Sequence, residues 1–291
     1  MLTRIDHVMI CVPDLAQGIA QFRNLGFNMH EGGAHPGKGT HNAVAFNRDE
    51  YIELLGIRDA AEYKAASGSG GLPEFIAAGG GIRYIVLQSD DLAADVAAMR
   101  TRGVDVSNVV EGRRVTPSGI ELKWKAATLG AKNPLPLVFV QHLTAVEERR
   151  QQVPGAGTHP NGVTVLDRAY IVTDNLEAAA ALYSKVLGLA QPAIVKGTVI
   201  MSNMAVFQIG PHGLGVVQPY ADGPAADALK RRGPGPFQSL YRTTSMGAAA
   251  RWATDHGLPP LPRGVRNTGE HAMLATPDVA CGAYIGFVGP E

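Results

Sequence analysis

The chain has 291 residues, of which 45% are hydrophobic, and its 26 basic and 26 acidic residues leave no formal net charge. This balance lacks the positive excess that binding to nucleic acid or to an anionic membrane requires, so we expect a small-molecule partner. No run approaches the roughly 18 apolar residues of a membrane span, and acidic residues come too early for a signal peptide, which predicts a cytoplasmic protein. The two cysteines form no CxxC pattern and so predict neither zinc nor redox chemistry.

One pattern occurs four times along the chain: an apolar strand, a polar capping residue, an amphipathic helix and a glycine. The four segments cover 5–27, 82–104, 166–189 and 237–258. The predicted helix caps are Asp14, Asp91, Asn175 and Ser245, and the predicted helix-terminating glycines are Gly26, Gly103, Gly188 and Gly257. Each segment with its following strands forms one β-α-β-β-β unit. Because one unit leaves an apolar sheet face exposed, we expect two units to pair and close a curved sheet around a cavity.

A charged stretch that becomes rich in Gly and Pro separates the second unit from the third. It predicts a linker over residues 144–164 between a domain at 1–143 and a domain at 165–291. A shorter SGSGG segment at 67–71 predicts a loop. The fold class is therefore α+β, with four βαβββ modules in two domains. The modules pair within the chain or with a second copy, which leaves a homodimer open.

The run YIELLGI, residues 51–57, has the composition of a buried strand but carries one charged residue, Glu53. Burying an ionised carboxylate is costly unless a cation, a hydrogen-bond network or a proton neutralises it. Glu53 therefore predicts a partner elsewhere in the fold.

Five segments occur in order over residues 5–143: IDHVMICVPDL, HPGKGTHN, YIELLGI, SGIELKWKAATL and LPLVFVQHL. Together they resemble the bacterial glyoxalase-like family of the vicinal oxygen chelate superfamily, which includes glyoxalase I, extradiol dioxygenases, fosfomycin-resistance proteins and methylmalonyl-CoA epimerase. The resemblance implies paired βαβββ modules around one divalent metal ion. Inward-facing His and Glu side chains would hold the ion, and substrate oxygens would take its open positions.

By this resemblance, His7 on the first strand and Glu53 on the fourth are metal ligands, and Glu53 is also the candidate catalytic base. Imidazole and carboxylate together suit Zn, Mn, Fe or Ni. A third ligand would be His41, Gln141 or His142, of which the last two face opposite sides of their strand. The alternatives are a structural role for His7, bonded to backbone, and a loop position for His41.

Five further residues are candidates for substrate binding: His35, Asn42, Tyr84, Trp124 and Arg168. The first two belong to HPGKGTHN, which can equally shape turns. Tyr84 and Arg168 stand where the second and third units align with His7. Arg168 could bind a carboxylate or phosphate, or form a surface salt bridge. Trp124 alternates with charged residues and so points to the cavity or to the helices.

The second domain lacks the metal-binding residue types at the four aligned positions, which read Arg168, Val216, Gln238 and Gly286. Two-domain extradiol dioxygenases, by the resemblance, carry their iron site in that half, so this chain departs from them. We expect a metal-dependent isomerase, epimerase or lyase that acts on a small oxygenated metabolite through a metal-stabilised enediolate or alkoxide. The alternatives are a metal-free sequestering protein for an aromatic drug or metabolite, and a ring-cleaving dioxygenase.

Overall fold

The computed structural model describes residues 1–67 and 71–291, so residues 68–70 of the loop predicted at 67–71 lie outside the described part of the chain. The described residues form two mixed sheets of eight strands each. Helices pack against both sheets. Among the described residues, no helix has the length and apolar character needed to cross a membrane.

The first sheet has the strand order β2-β3-β4-β1-β5-β8-β7-β6. Its strands are β1 (Leu2–Cys11), β2 (His30–His35), β3 (Thr40–Phe46), β4 (Tyr51–Ile57), β5 (Gly81–Ser89), β6 (Val110–Val115), β7 (Glu121–Thr128) and β8 (Leu137–His142). The helices in and after it are α1 (Leu15–Asn24), α2 (Ala60–Ser67), α3 (Leu72–Ala77), α4 (Leu92–Thr101) and α5 (Val146–Arg150).

The second sheet repeats this order as β10-β11-β12-β9-β13-β16-β15-β14. Its strands are β9 (Val163–Val172), β10 (Ile194–Gly197), β11 (Ser202–Ile209), β12 (His212–Pro219), β13 (Gly235–Thr243), β14 (Arg263–Val265), β15 (His271–Ala275) and β16 (Tyr284–Gly289). Its helices are α6 (Leu176–Leu187), α7 (Pro224–Arg232) and α8 (Met246–Asp255). The repeated order confirms the predicted α+β fold of four βαβββ modules, with two modules in each sheet.

The local signals that predicted the four repeats are confirmed. The side chains of Asp14, Asp91, Asn175 and Ser245 each accept a hydrogen bond from a backbone N–H in the first turn of the following helix. The four predicted terminating glycines, Gly26, Gly103, Gly188 and Gly257, all have positive φ, which residues with a Cβ adopt at a cost. Each helix therefore begins and ends where its short sequence motif predicts.

The segment between the sheets is packed against the first domain. It contains α5, and β9 begins at Val163, within the predicted linker. Asn161 donates from Nδ2 to the backbone oxygen of Leu25 at 2.8 Å. His159 accepts at Nδ1 from the Asn28 N–H at 3.0 Å. These contacts hold residues 159–161 against the turn that follows α1.

Two buried hydrogen bonds join the sheets, and each domain supplies the acceptor of one of them. Glu50, in the turn before β4, accepts from the Leu166 N–H at 2.8 Å. His212, at the start of β12, accepts from the Ile5 N–H at 3.0 Å. A single apolar cluster also runs through both halves. The two domains are therefore one packed unit.

We expect the free energy of unfolding to depend on pH through His159. This residue is buried and donates from Nε2 to Asn47 Oδ1 at 3.1 Å. Burial lowers the pKa of His159 to about 4, because the charged ring would lose its hydration there. A proton at Nδ1 would also remove the acceptor for the Asn28 N–H. The neutral ring's contribution is present above the unfolded value near 6.5 and is lost as the pH falls towards 4. We expect a loss of at most about 3 kcal/mol over this range.

Urea denaturation at several pH values between 7 and 4 measures this loss. His159→Asn keeps an acceptor near the Nδ1 position and has no ring to titrate. It should be less stable than the native chain at pH 7 but should lose less stability on acidification. Equal pH slopes for the two proteins would contradict the assignment.

Candidate functional site

A cavity of about 330 Å³ lies against the inner face of the first sheet. Its lining combines three classes of side chain. The ionisable and polar residues include His7, His35, Asn42, Glu53 and His142; the basic residues are Lys38, Arg113, Arg114 and Arg149; the aromatic residues are Phe46, Tyr51 and Trp124. Among the described residues that line this cavity, Glu53 is the only acidic one.

A break in the pairing of β1 with β5 positions two of the site residues. Ile5 pairs with Leu87 and His7 with Val86, so Asp6 is an extra residue between them. Such a bulge interrupts the strict alternation of strand side chains. Asp6 Oδ2 consequently lies 2.8 Å from His7 Nδ1. It also lies 3.0 Å from His142 Nε2.

Glu53, on β4, meets His7 on the other side of the imidazole. His7 Nε2 and Glu53 Oε2 are 3.3 Å apart, and Asn42 donates from Nδ2 to Glu53 Oε1 at 2.6 Å. The Tyr51 ring stacks on the imidazole with centroids 4.4 Å apart. The result is a buried chain of polar groups in the order Asp6, His7, Glu53 and Asn42.

In this group of buried residues, hydrogen bonds and opposite charges outweigh the cost of burying charge. Burial opposes the charge on His7, but the hydrogen bonds to Asp6 and Glu53 raise its pKa to about 9. Burial opposes the charge on Glu53, but its hydrogen bond to His7 and the charge of that ring lower its pKa to about 2. Burial also opposes ionisation of Asp6, while His142 and His7 hold its pKa well below the usual value. The pocket is therefore built to keep a positive charge beside two carboxylates.

His7 and Glu53 meet the distance requirement for ligands of one divalent ion. Two donor atoms at 2.0–2.2 Å from a common metal are roughly 3–3.5 Å apart, which agrees with the 3.3 Å separation of Nε2 and Oε2. The Asp6 carboxylate at Nδ1 is the partner that metal-binding histidines usually have. Within residues 1–67 and 71–291, however, no three His, Cys, Asp or Glu side chains are grouped so as to hold a metal. Among the described residues, the candidate ligand set therefore consists of His7 and Glu53 alone.

The register of the second module explains why a third ligand is missing from the predicted place. Met9, two residues after His7, pairs with Glu53 in the parallel pair of β1 with β4. The same relation in β5 and β8 puts Tyr84 at the His position and Val138 at the Glu position. Neither Gln141 nor His142, the two candidates for a third ligand on β8, occupies the position that corresponds to Glu53.

Of the three candidates for the third ligand, only His142 lines the cavity. Gln141 binds the α4 terminus, accepting from the Leu92 N–H and donating to the Asp90 oxygen. His41 is not a cavity residue, because its neighbours Thr40 and Asn42 face the cavity, whereas His41 packs over Gly56 on the opposite face. His142 lines the cavity, but its Nε2 is engaged with Asp6.

Three of the five predicted substrate-binding residues line the cavity, namely His35, Asn42 and Trp124. The His35 ring bonds through Nδ1 to Thr40 Oγ1 at 2.8 Å. Tyr84 instead lines a different cavity between the domains. The structure thus separates Tyr84 from the candidate metal pair.

Arg168 lies in the second sheet and lines a cavity of about 160 Å³ there. Asp167 and Arg168 repeat the bulge of Asp6 and His7, since Leu166 pairs with Tyr241 and Arg168 with Leu240. The residue that corresponds to Glu53 is Gly215, because it pairs with Tyr170 two positions after Arg168. Our alignment of Val216 to that position is therefore wrong by one residue.

Sequence reasoning missed Asp6 and Arg114. Arg114 is buried and donates to the Gly32 oxygen and to Gln152 Oε1. Asp6 directly precedes His7 in the sequence, and a carboxylate next to a candidate ligand was the available signal. For Arg114 the sequence offers no comparable signal, because β6 reads as an exposed strand.

Comparisons with known proteins agree with this architecture. The family model described as glyoxalase-like domain matches residues 5–187. The sequence matches no curated protein. A hypothetical protein from Staphylococcus aureus superposes with a TM-score of 0.68 at 14% identity, over 100% of both chains.

Two further solved structures are similar to this chain over 99% of its length. A mutant of 4-hydroxymandelate synthase from Streptomyces coelicolor has a TM-score of 0.63 at 11% identity, covering 99% of this chain and 92% of that one. A fusion of a xylose isomerase-like TIM barrel with 4-hydroxyphenylpyruvate dioxygenase has a TM-score of 0.60 at 14% identity, covering 99% and 48%. At these identities the similarity establishes the fold. With the family match over more than half of its length, the chain belongs to the glyoxalase-like domain family of the vicinal oxygen chelate superfamily.

Proposed function

We propose that the cavity of the first sheet is the active site of a divalent-metal-dependent enzyme that acts on a small oxygenated anion. The observation that carries this proposal is the buried pair of His7 Nε2 and Glu53 Oε2 at 3.3 Å. A divalent ion at this pair would act as a Lewis acid for an oxyanion of the substrate. Family membership supports an enzyme of this kind but leaves the reaction open.

The residues around the pair would fix its geometry. Asp6 accepts the Nδ1 proton of His7 and thereby leaves Nε2 as the nitrogen that faces Glu53. Asn42 fixes the other carboxylate oxygen of Glu53. Binding of a cation by this pair requires Nε2 to lose its proton, so metal and proton compete for His7.

The charge of the lining supports an anionic substrate. Arg114 is buried and, among the described residues, its guanidinium bonds to neutral oxygens. Lys38 and Arg113 line the cavity nearer to solvent. Phe46 and Trp124 supply apolar walls. A carboxylate or phosphate with a short apolar or aromatic body complements this combination.

Proton transfer in this cavity is better assigned to His35 than to Glu53. The pKa of Glu53 near 2 makes its carboxylate a weak base at neutral pH. Burial lowers the pKa of His35, which favours the neutral ring. With Nδ1 donating to Thr40 Oγ1, the lone pair on Nε2 can accept a proton from a substrate carbon next to a carbonyl. This favours isomerase, epimerase or lyase chemistry over ring cleavage.

The test is hydrogen exchange at substrate carbon, followed by NMR in D₂O with metal-loaded protein and a panel of 2-oxo- and 2-hydroxycarboxylates. Native protein should exchange a C–H next to the carbonyl or hydroxyl carbon. His35→Gln should slow this exchange at least about 100-fold and keep its bound metal. The matched control is His30→Gln on the same strand, whose ring contacts Asn28 and does not line the cavity. Equal exchange by native protein and His35→Gln would contradict the assignment.

A sequestering protein remains the second candidate function, favoured by the aromatic walls of Phe46, Tyr51 and Trp124. It would bind an aromatic anion with the same affinity before and after chelation of metal. A metal-dependent enzyme would bind a substrate analogue more tightly when metal is present. Fluorescence of Trp124 in the cavity reports both cases.

A further inference from the structure

A second and larger cavity, of about 520 Å³, lies between the two domains. The first domain contributes the start of β5 and the segment 128–138, and the second contributes the end of α7 and the segment 233–237. Among the described residues, Val138 is the only one that lines both cavities. The candidate metal pair is absent from the lining of this second cavity.

Arginines give this interdomain cavity its charge. Arg83, Arg231 and Arg232 line it, and no Asp or Glu does so among the residues that the structure describes. The guanidinium carbons of Arg83 and Arg232 lie 5.1 Å and 5.2 Å from the centroid of the Phe75 ring. One aromatic ring thus contacts cations from both domains.

Arg232 lacks a counter-ion in the described residues, where no side chain or backbone oxygen forms a hydrogen bond or ion pair with it. Its Nε is buried and unpartnered. Burial and the neighbouring Arg231 lower the pKa of Arg232 to about 10, so it stays charged at neutral pH. Arg232 is half-buried, and a partly desolvated cation without a counter-ion is unfavourable until an anion joins it.

The backbone beside Arg232 leaves room for the guanidinium. A Cβ on Gly81 would lie 2.3 Å from Nη1, and a Cβ on Gly282 would lie 3.0 Å from Nη2. Both glycines have positive φ. Arg231, one residue earlier, donates from Nη2 to the Gly282 oxygen at 3.1 Å. The two arginines at the end of α7 are thereby held at the mouth of the cavity.

From these contacts we infer that the interdomain cavity binds a small organic anion, whose phosphoryl or carboxylate group pairs with Arg231 and Arg232. Phe75, Tyr84 and Phe237 line the same cavity and would cover a planar or apolar body of the ligand. This ligand is additional to the proposed substrate, because it occupies a cavity without the His7 and Glu53 pair. Its binding would bridge the two domains.

Phenyl phosphate and benzoate are suitable probes, measured by calorimetric titration and by thermal melting of the full chain. At least one should bind native protein and raise its melting temperature. Arg232→Gln should weaken that binding at least about tenfold. The ligand-free variant should fold with a melting temperature close to that of the native chain, since the substitution removes the contact with the Phe75 ring but no ion pair. Arg231→Gln is the second variant, and Lys230→Gln, on the exposed side of the same helix, should bind as native protein does.

Tighter binding of phenyl phosphate would assign a phosphoryl group, and equal or tighter binding of benzoate would assign a carboxylate. Lys38→Gln tests the other cavity, where Lys38 lies. The inference is overturned if neither probe binds native protein. It is also overturned if Arg232→Gln and Arg231→Gln both bind the probe as native protein does, whether or not Lys38→Gln weakens binding.

Discussion

Replacing Glu53 with Gln should lower the affinity for a divalent metal at least about 100-fold without unfolding the protein. The substitution removes the charge that a metal ligand must supply. The amide oxygen can still accept from Asn42 Nδ2, and the amide N–H₂ can donate to a neutral His7 Nε2, so both hydrogen bonds of the native carboxylate have replacements. Turnover of any substrate that needs the metal should fall with metal occupancy.

Equilibrium dialysis against Zn, Mn and Ni at neutral pH measures the affinity, and circular dichroism during heating measures the fold. Glu121→Gln is the matched control, because Glu121 lies on a strand of the same sheet but pairs with Lys123 at the surface. His41→Gln is a second control on the far face of β3. Native metal affinity in Glu53→Gln would remove Glu53 from the site.

Replacing Phe27 with Ala should destabilise the whole chain by about 3–5 kcal/mol. Phe27 is fully buried and lies at the junction of the domains. Its ring centroid is 5.4 Å from Tyr241 and 5.9 Å from Phe287, both in the second sheet, and 5.7 Å from Phe22 in α1. The cavity left by the ring would remove contacts from both domains at once.

Calorimetric unfolding distinguishes this effect from a local one. Phe207→Ala is the comparison, because Phe207 is buried within the second domain against Tyr183. If the domains unfold as one unit, both variants shift one common transition to lower temperature. If they unfold separately, Phe27→Ala should shift both transitions and Phe207→Ala one of them. A transition that Phe27→Ala leaves unshifted would contradict the shared core.

The repeats could be predicted from the sequence because their signals are local. A cap such as Asp14 and a terminator such as Gly26 act within a single turn of chain, and the structure contains both interactions. His7 and Glu53 were found for a related reason, since an ionisable residue inside an apolar strand requires a partner. Their convergence needed only that the two strands be neighbours, which the module provides.

The errors came from strand register, which depends on pairing between distant segments. A shift of one residue moves a side chain to the other face of a sheet. That is why Gly215 and not Val216 corresponds to Glu53, and why His41 faces away from the cavity. The bulge that brings Asp6 beside His7 is likewise visible only in the pairing of β1 with β5.

The most direct test of the metal centre is anomalous X-ray diffraction from crystals of the native protein soaked with Zn, Mn or Ni at neutral pH. We expect one strong anomalous peak in the first domain, about 2.0–2.2 Å from both His7 Nε2 and Glu53 Oε2, with open coordination positions towards the cavity. Crystals of Glu53→Gln soaked in the same way should lack this peak. A protein-bound peak at the Arg168 and Gln238 side chains, or no peak at His7 and Glu53 with any of the three metals, would contradict this expectation.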